Sequence, residues 1–350
     1  MHGVPEEPAG YRREVKVVVV GATGNIGTAV VERLASDPEV DEVVGVARRL
    51  PETPEARAPG GRSVRWRALD VRLARPQDVV GDADAVVDLA WMFHPTRRPD
   101  ITWSTNVIGL VRLLEALPST SVSQLVVASS IAAYSPAGSD APVAEDWPTH
   151  GASSAAYARE KAYVERLLDL AERPGLVVSR LRPAFVFQWR ASSEQRRIFA
   201  GPLVPGRLMR PELAPRLPIP AGLRLQVVHA RDVADAVARI LARRAPGPFN
   251  LCADQVLTES DVAEAVGSRA WVVPPRVARA ALGAAWRTRA APVPPELFDA
   301  LMRVPVLSHA RARSELDWAP TRTATEALQE LLGGMQAGAG HGTPPLHPDR

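Results

Sequence analysis

Lys16-Val17-Val18-Val19-Val20-Gly21-Ala22-Thr23-Gly24-Asn25-Ile26-Gly27 is the stretch that decides the fold of this 350-residue chain. A run of β-branched residues stops at a glycine, and apolar residues then continue at helical spacing from Ile26 to Leu34. That reads as strand, tight turn and helix. Glycines at 21, 24 and 27 suit such a turn because a residue without a side chain lets the chain reverse, lets a pyrophosphate approach the backbone and lets helix pack on strand. The start of the helix, with Thr23, Asn25 and Ile26 around it, offers amide N–H groups and a positive dipole end to phosphates.

Working outward, short apolar runs recur at Val43–Ala47, Val64–Leu69, Ala85–Ala90, Gln124–Ala128 and Leu176–Leu181, separated by segments long enough for helices. Ser104–Leu117 and Ser153–Ala171 each gather apolar residues on one helical face. The alternation predicts an α/β fold, a doubly wound parallel sheet with helices on both faces. Residues 14–183 form the expected dinucleotide-binding domain, with returns from 224–252. Residues 184–332, punctuated by Pro202, Pro205, Pro211, Pro215, Pro218 and Pro220, form a smaller C-terminal substrate lobe. Residues 1–13 are expected to be flexible, and the Gly, Pro and His tail 333–350 to be disordered.

Composition narrows the function classes. The chain is 46% hydrophobic and 23% charged, which excludes global disorder and fibrous repeats. Its 42 basic and 39 acidic residues give a net charge of +3. Arg is scattered among Asp and Glu rather than clustered with aromatics, so no nucleic-acid partner is expected. Cys252 is the lone cysteine, and no further residue completes metal spacing around His229, so neither a disulfide nor a metal site is expected. No apolar run reaches the ~20 residues of a membrane span, and the first residues lack the apolar core of a signal peptide. The cationic segment Arg276–Arg289 reads as a helix covering the substrate lobe. A cytoplasmic protein without a membrane partner is the expectation.

Tyr157-Ala158-Arg159-Glu160-Lys161 sets Tyr157 and Lys161 four residues apart on one helical face. A phenol, with a pKa near 10, yields its proton reluctantly at neutral pH, and a neighbouring ammonium stabilises the phenolate. Ser130 ends the run Val126–Ser130, at the carboxyl edge where open α/β sheets bind ligands, and can hold a substrate oxygen beside Tyr157. Arg48 and Arg49 stand about 20 residues past the glycines, where an NAD site usually offers an acidic residue, so NADP is favoured over NAD. The alternative is that they are solvated loop cations. Asp70 can accept a bond from an adenine amino group, or be a surface loop residue. Trp91, Phe93, His94, Tyr134 and the run from Phe185 to Arg190, with Phe187 and Arg190, are candidate substrate contacts, Phe185 and Phe187 being equally readable as core between the lobes.

Taken together these motifs resemble the extended short-chain dehydrogenase/reductase family, also called the NAD-dependent epimerase/dehydratase family. The similarity extends through Asp70-Val71, Asp88-Leu89-Ala90, Asn106 in Thr105-Asn106-Val107-x-Gly109, Arg182-Pro183 and Asp317-Trp318-x-Pro320. The resemblance implies a Rossmann fold, a catalytic triad of Ser130, Tyr157 and Lys161, and a dinucleotide held by the glycine motif together with Val71, Leu89, Ala90, Asn106, Lys161 and Pro183. It also implies a homodimer formed through the two long helices. Ile131-Ala132 follow Ser130 where sugar 4,6-dehydratases of the family carry an acidic pair, which argues against that elimination. The leading expectation is an NADP-preferring oxidoreductase interconverting a ketone and a secondary alcohol of a small-molecule substrate. The alternatives are a nucleotide-sugar epimerase with retained NAD and a non-catalytic dinucleotide sensor.

Overall fold

The computed structural model describes residues 15–54, 62–93, 97–201 and 215–349. The flexible segment expected over 1–13, the candidate His94 and the prolines 202, 205 and 211 lie outside the described residues. The first half alternates strand and helix except where β3 follows β2 and α4 follows α3: β1 (Lys16–Val20), α1 (Asn25–Ala35), β2 (Glu42–Ala47), β3 (Val64–Ala68), α2 (Pro76–Val80), β4 (Ala85–Asp88), α3 (Pro99–Trp103), α4 (Gly109–Ala116), β5 (Gln124–Ala128), α5 (Ala156–Ala171) and β6 (Val177–Pro183). The second half holds β7 (Phe185–Phe187), α6 (Ser192–Phe199), β8 (Arg216–Pro220), β9 (Leu225–His229), α7 (Ala230–Arg243), β10 (Gly247–Leu251), β11 (Val256–Leu257), α8 (Glu259–Ala265), β12 (Arg269–Val273), α9 (Pro275–Arg287), α10 (Pro295–Leu301), α11 (Ala310–Leu316) and α12 (Ala324–Ala337).

Seven strands pair in the order β10-β6-β5-β4-β1-β2-β3, all parallel. The valine run of β1 follows from this position, since a strand buried on both faces needs apolar residues at every step rather than at alternate ones. Val17 and Val19 join the core under α1 and α7, while Val18 and Val20 join the core under α4 and α5. β1 and β4 are neighbours, so the chain reverses its direction of growth at β1 and opens a crevice at the carboxyl ends of both strands.

Outside the large sheet, β7, β9 and β11 form a three-stranded sheet covered by α12, and β8 pairs with β12. The single helix expected over Ser104–Leu117 is divided. Pro99 starts α3 earlier, a π-helical turn occupies Ser104–Ile108, and α4 resumes at Gly109.

The expected disordered tail is a correction. Helix α12 runs on to Ala337, and residues 338–349 fold back across the protein. Thr343 Oγ1 donates to the carbonyl of Thr23 at 2.9 Å, and the amide of Glu52 donates to the carbonyl of Gly342 at 2.8 Å. Arg196 Nε and Arg197 Nη1 reach the Asp349 carboxylate at 2.7 and 2.9 Å. Leu346 is fully buried. Burial of that one leucine and an ion pair to a buried arginine hold a stretch whose Gly and Pro content reads as disordered.

Candidate active site

The glycine turn is built for close approach. Gly21 has φ +78°, and a Cβ there would lie 2.7 Å from the carbonyl carbon of Leu89 and 2.8 Å from the amide of Ala90, so the turn is pressed against the end of β4. A Cβ on Gly27 would lie 2.2 Å from the Gly21 oxygen, which fixes α1 tight against the turn. Gly24 differs: its Cβ position meets only the Gly21 oxygen, at 3.5 Å, leaving an open face where α1 begins without a side-chain cap. An uncapped helix start beside an open glycine face fits a pyrophosphate.

Around that turn, Asn25 is locked from the second lobe. Its Nδ2 donates to the Val186 carbonyl at 2.9 Å, and Gln188 Nε2 donates to the Asn25 carbonyl and Oδ1 at 2.5 and 2.9 Å. Gln188 belongs to the run Phe185–Arg190 expected to line the substrate site, and the structure turns it toward α1 instead, β7 lying beside β9. Arg48 and Arg49 are exposed at the end of β2. Asp70 is held by Arg72, whose guanidinium lies 2.6 Å away and lowers the carboxyl pKa, with Arg48 adding to the effect. Val71 and Ala90 line a shallow hollow with Thr105 and Gly109. Leu89 abuts Gly21, and Pro183 ends β6 beside Leu251.

Ser130 lies just past β5, where its Oγ accepts the amide of Ala132 at 3.1 Å and caps a short 3₁₀ turn. Tyr157, in the first turn of α5, faces Ser130. Burial pushes the Tyr157 phenol up to about 12, against the lowering effect of its hydrogen bond with Ser130, and Glu160 adds to the rise. Lys161, one turn on, is 2% exposed. Its ammonium donates to the Ala128 carbonyl at 2.6 Å and sits 3.3 Å from the centre of the Trp91 ring. Burial brings it down to about 7, with Asp88, Glu165 and Glu160 pulling the other way. Asp88, buried at the end of β4, is pushed up to about 6. The fold therefore gathers Ser130, Tyr157 and Lys161, with Asp88, Trp91 and Glu160 around them. Lys161 is bound by the Ala128 carbonyl and the Trp91 ring, and Ser130 is the hydrogen-bond partner of the Tyr157 phenol.

A cleft of about 860 Å³, partly open to solvent, lies in front of Tyr157. Met92, Phe93 and Thr102 form one wall, Trp286 of α9 and Leu297 of α10 the other. Phe93 meets Tyr157 edge-on at 4.7 Å between ring centres and touches Phe199 of α6 at 5.8 Å. Arg97 stacks over Trp286 at 3.9 Å. Of the described candidates for substrate contact, only Phe93 reaches this cleft.

Three of the others are corrections. Tyr134 is 2% exposed, donates to Asn250 Oδ1 at 2.7 Å and accepts from Arg182 at 2.8 Å, so it is a core residue. Phe187 packs with Val227, Leu257 and Leu328 in the core of the second lobe. Arg190 pairs with Glu32 on α1, away from the Tyr157 cleft. Aromatic and arginine content marked these segments, but not which side of β7 or of the 3₁₀ turn would face the cleft.

The family model described as NAD dependent epimerase/dehydratase family matches residues 17–252. The uncharacterized protein Rv0501 of Mycobacterium tuberculosis is 28% identical over 328 residues, covering 91% of this chain and 83% of that protein. Among solved structures, MoeE5 in complex with UDP-glucuronic acid and NAD has a TM-score of 0.66 at 23% identity, over 92% of this chain and 99% of that one. UDP-glucose-4-epimerase from Stenotrophomonas maltophila with bound NAD has a TM-score of 0.68 at 21% identity, over 93% and 98%. UDP-glucuronic acid 4-epimerase from Bacillus cereus in complex with NAD has a TM-score of 0.66 at 15% identity, over 92% and 99%. The glycine turn, the parallel sheet that reverses at β1 and a match over most of the large sheet converge on one conclusion: this chain belongs to the NAD dependent epimerase/dehydratase family.

Proposed function

We propose that the chain is an NAD-dependent enzyme that oxidises a secondary alcohol of a nucleotide sugar and reduces the resulting ketone again on the same cofactor, as an epimerase does. The observation that carries hydride chemistry is the grouping of Ser130, Tyr157 and Lys161: Tyr157 lines the cleft and is hydrogen-bonded with Ser130, and Lys161 lies one turn further along α5 under the Trp91 ring. The UDP-sugar 4-epimerases among the structural neighbours support the epimerase form of that chemistry over net reduction. When bound, the nicotinamide accepts and returns hydride at C4.

The chain's own residues do the rest. The open face of Gly24 and the start of α1 hold the pyrophosphate. Ser130 donates a hydrogen bond to the reacting oxygen. Tyr157 must be the phenolate to take the hydroxyl proton in the oxidising step, and it returns that proton in the reducing one; burial opposes the phenolate and the hydrogen bond from Ser130 favours it. Lys161 holds the nicotinamide ribose once its ammonium turns from Ala128.

A second reading, net reduction of an apolar ketone with NADPH, is favoured by the exposed pair Arg48 and Arg49 and by the Phe93, Trp286 and Leu297 walls. The deciding experiment is incubation with NAD and UDP-glucose or UDP-glucuronic acid, with products separated as C4 epimers, beside a screen of ketones with NADPH. Epimer formation without net cofactor consumption supports the first reading, and steady NADPH loss with a ketone overturns it.

We also propose a homodimer through α4 and α5. Trp103 at the end of α3, Ile108 in the π-helical turn that leads into α4, and Tyr163 and Leu170 of α5 are exposed, with Trp103 and Tyr163 in ring contact at 5.0 Å, which leaves apolar side chains along this side of the protein.

A further inference from the structure

Glu160 is a buried carboxylate beside Tyr157 that the proposed reaction does not use. It sits on α5 between Tyr157 and Lys161 and is 3% exposed. A carboxylate in such a place is unfavourable unless its oxygens are satisfied, and both are. Thr102 Oγ1 donates to Oε1 at 2.6 Å, and Asn106 Nδ2 donates to Oε2 at 2.7 Å.

Asn106 carries the interaction onward. Its Oδ1 accepts the amide of Met92 at 2.7 Å, and its Nδ2 also points at the Met92 carbonyl, 3.3 Å away. The Asn106 amide thus pairs with both backbone groups of Met92, much as a neighbouring strand would. Met92 lies between Trp91, which covers Lys161, and Phe93, which meets Tyr157 edge-on. Asn106 is delivered by the π-helical turn Ser104–Ile108, a conformation uncommon in proteins and found disproportionately at functional sites.

An ionised carboxylate only accepts hydrogen bonds. With Glu160 on one side, the Asn106 amide must turn its NH₂ toward α5, and its oxygen must then face the Met92 N–H. The flipped amide would set oxygen against oxygen at Glu160 and at the Met92 carbonyl, and N–H against N–H at the Met92 amide.

We propose that Glu160 is a positioning residue which, by fixing the orientation of the Asn106 amide, holds the Trp91–Phe93 wall against Tyr157 and so sets how the substrate is seated in the cleft. This rests on the proposed reading of Tyr157 as the acid–base group.

Glu160→Gln is the conservative variant. Its amide oxygen can face Asn106 while its NH₂ faces Thr102, whose hydroxyl then accepts and donates only to Pro99. Glu160→Ala removes the acceptor, Glu160→Asp draws it back by one methylene, and Asn106→Ala breaks the connection from the other side. Two readouts decide. The first is the Met92 methyl signal in methyl-labelled protein, identified by its loss in Met92→Leu; it needs no substrate. The second is the split of kcat and KM with UDP-glucuronic acid and NAD.

Glu160→Ala and Asn106→Ala should move the Met92 signal alike and raise KM by about tenfold with a smaller change in kcat, because the wall misplaces the substrate rather than the proton. Glu160→Asp should fall between, and Glu160→Gln should stay near the wild type in both. An unmoved Met92 signal in Glu160→Ala overturns the proposal, as does Glu160→Gln matching Glu160→Ala. If Glu160→Ala does not fold, Glu160→Asp decides on the same signal. Absence of turnover in the wild type with any nucleotide sugar would count against the epimerase reading, and the methyl signal would still decide the positioning role.

Discussion

One indole serves two groups of the candidate site: Trp91 lays its ring face 3.3 Å from the Lys161 ammonium and meets the Tyr157 ring edge-on, with 5.8 Å between centres. The cation is stabilised by the ring and by the Ala128 carbonyl while burial works against its charge.

This arrangement is open to direct measurement because Lys16 and Lys161 are the only lysines in the chain. In protein labelled at lysine, with Lys16→Arg to leave a single signal, the Lys161 ammonium should titrate near 7, far below the ordinary value of 10.5. Trp91→Leu removes the ring and should lower the midpoint further. A midpoint near 10 would mean that the ammonium is hydrated.

Stability should follow pH with two opposite slopes. Asp88 is raised from 3.8 to about 6, so between these values the folded protein keeps a proton that the unfolded chain has lost, and stability falls as pH rises. Lys161 is lowered from 10.5 to about 7, so between these values the unfolded chain holds the extra proton and stability rises with pH. Urea melts across pH should show Asp88→Asn flattening the acid slope and Lys161→Met the alkaline one.

Two tyrosine variants should separate chemistry from core. Tyr157→Phe is expected to cut turnover by about 10²–10⁴ while the dinucleotide still binds. Tyr134→Phe strips a partner from Asn250 and Arg182. It should cost about 1–3 kcal/mol in denaturant unfolding and leave kcat in place. A loss of kcat with unchanged stability in Tyr134→Phe would return that residue to the site.

Arg48→Asp tests the cofactor preference. If Arg48 and Arg49 receive a 2′-phosphate, the substitution should weaken NADPH by about tenfold or more in a fluorescence titration and change NADH far less. Equal small effects on both would identify the two arginines as solvated surface cations.

The parts of this protein legible in its sequence are those in which neighbours along the chain decide the outcome. The valine strand, the glycine turn and the four-residue step from Tyr157 to Lys161 each carry their geometry in local spacing. What was not legible depends on partners far apart: Glu160 meets Asn106 across 54 positions, and Gln188 meets Asn25 across 163. Tyr134, Phe187 and Arg190 were misplaced for the same reason, since residue type shows what a side chain can bind and not which face of the fold it will occupy. The tail misled by composition, because one buried leucine and one aspartate outweigh its glycines.

That tail has a mechanical consequence. It is fastened to the glycine turn at Thr343 and to α6 at Asp349, and α6 ends at Phe199, which leans on Phe93 in the substrate wall. With these fastenings intact, α6 cannot swing outward to widen the cleft without tugging on the backbone of Thr23. Like a drawstring, twelve residues lace the helix behind the Tyr157 cleft to the glycine turn.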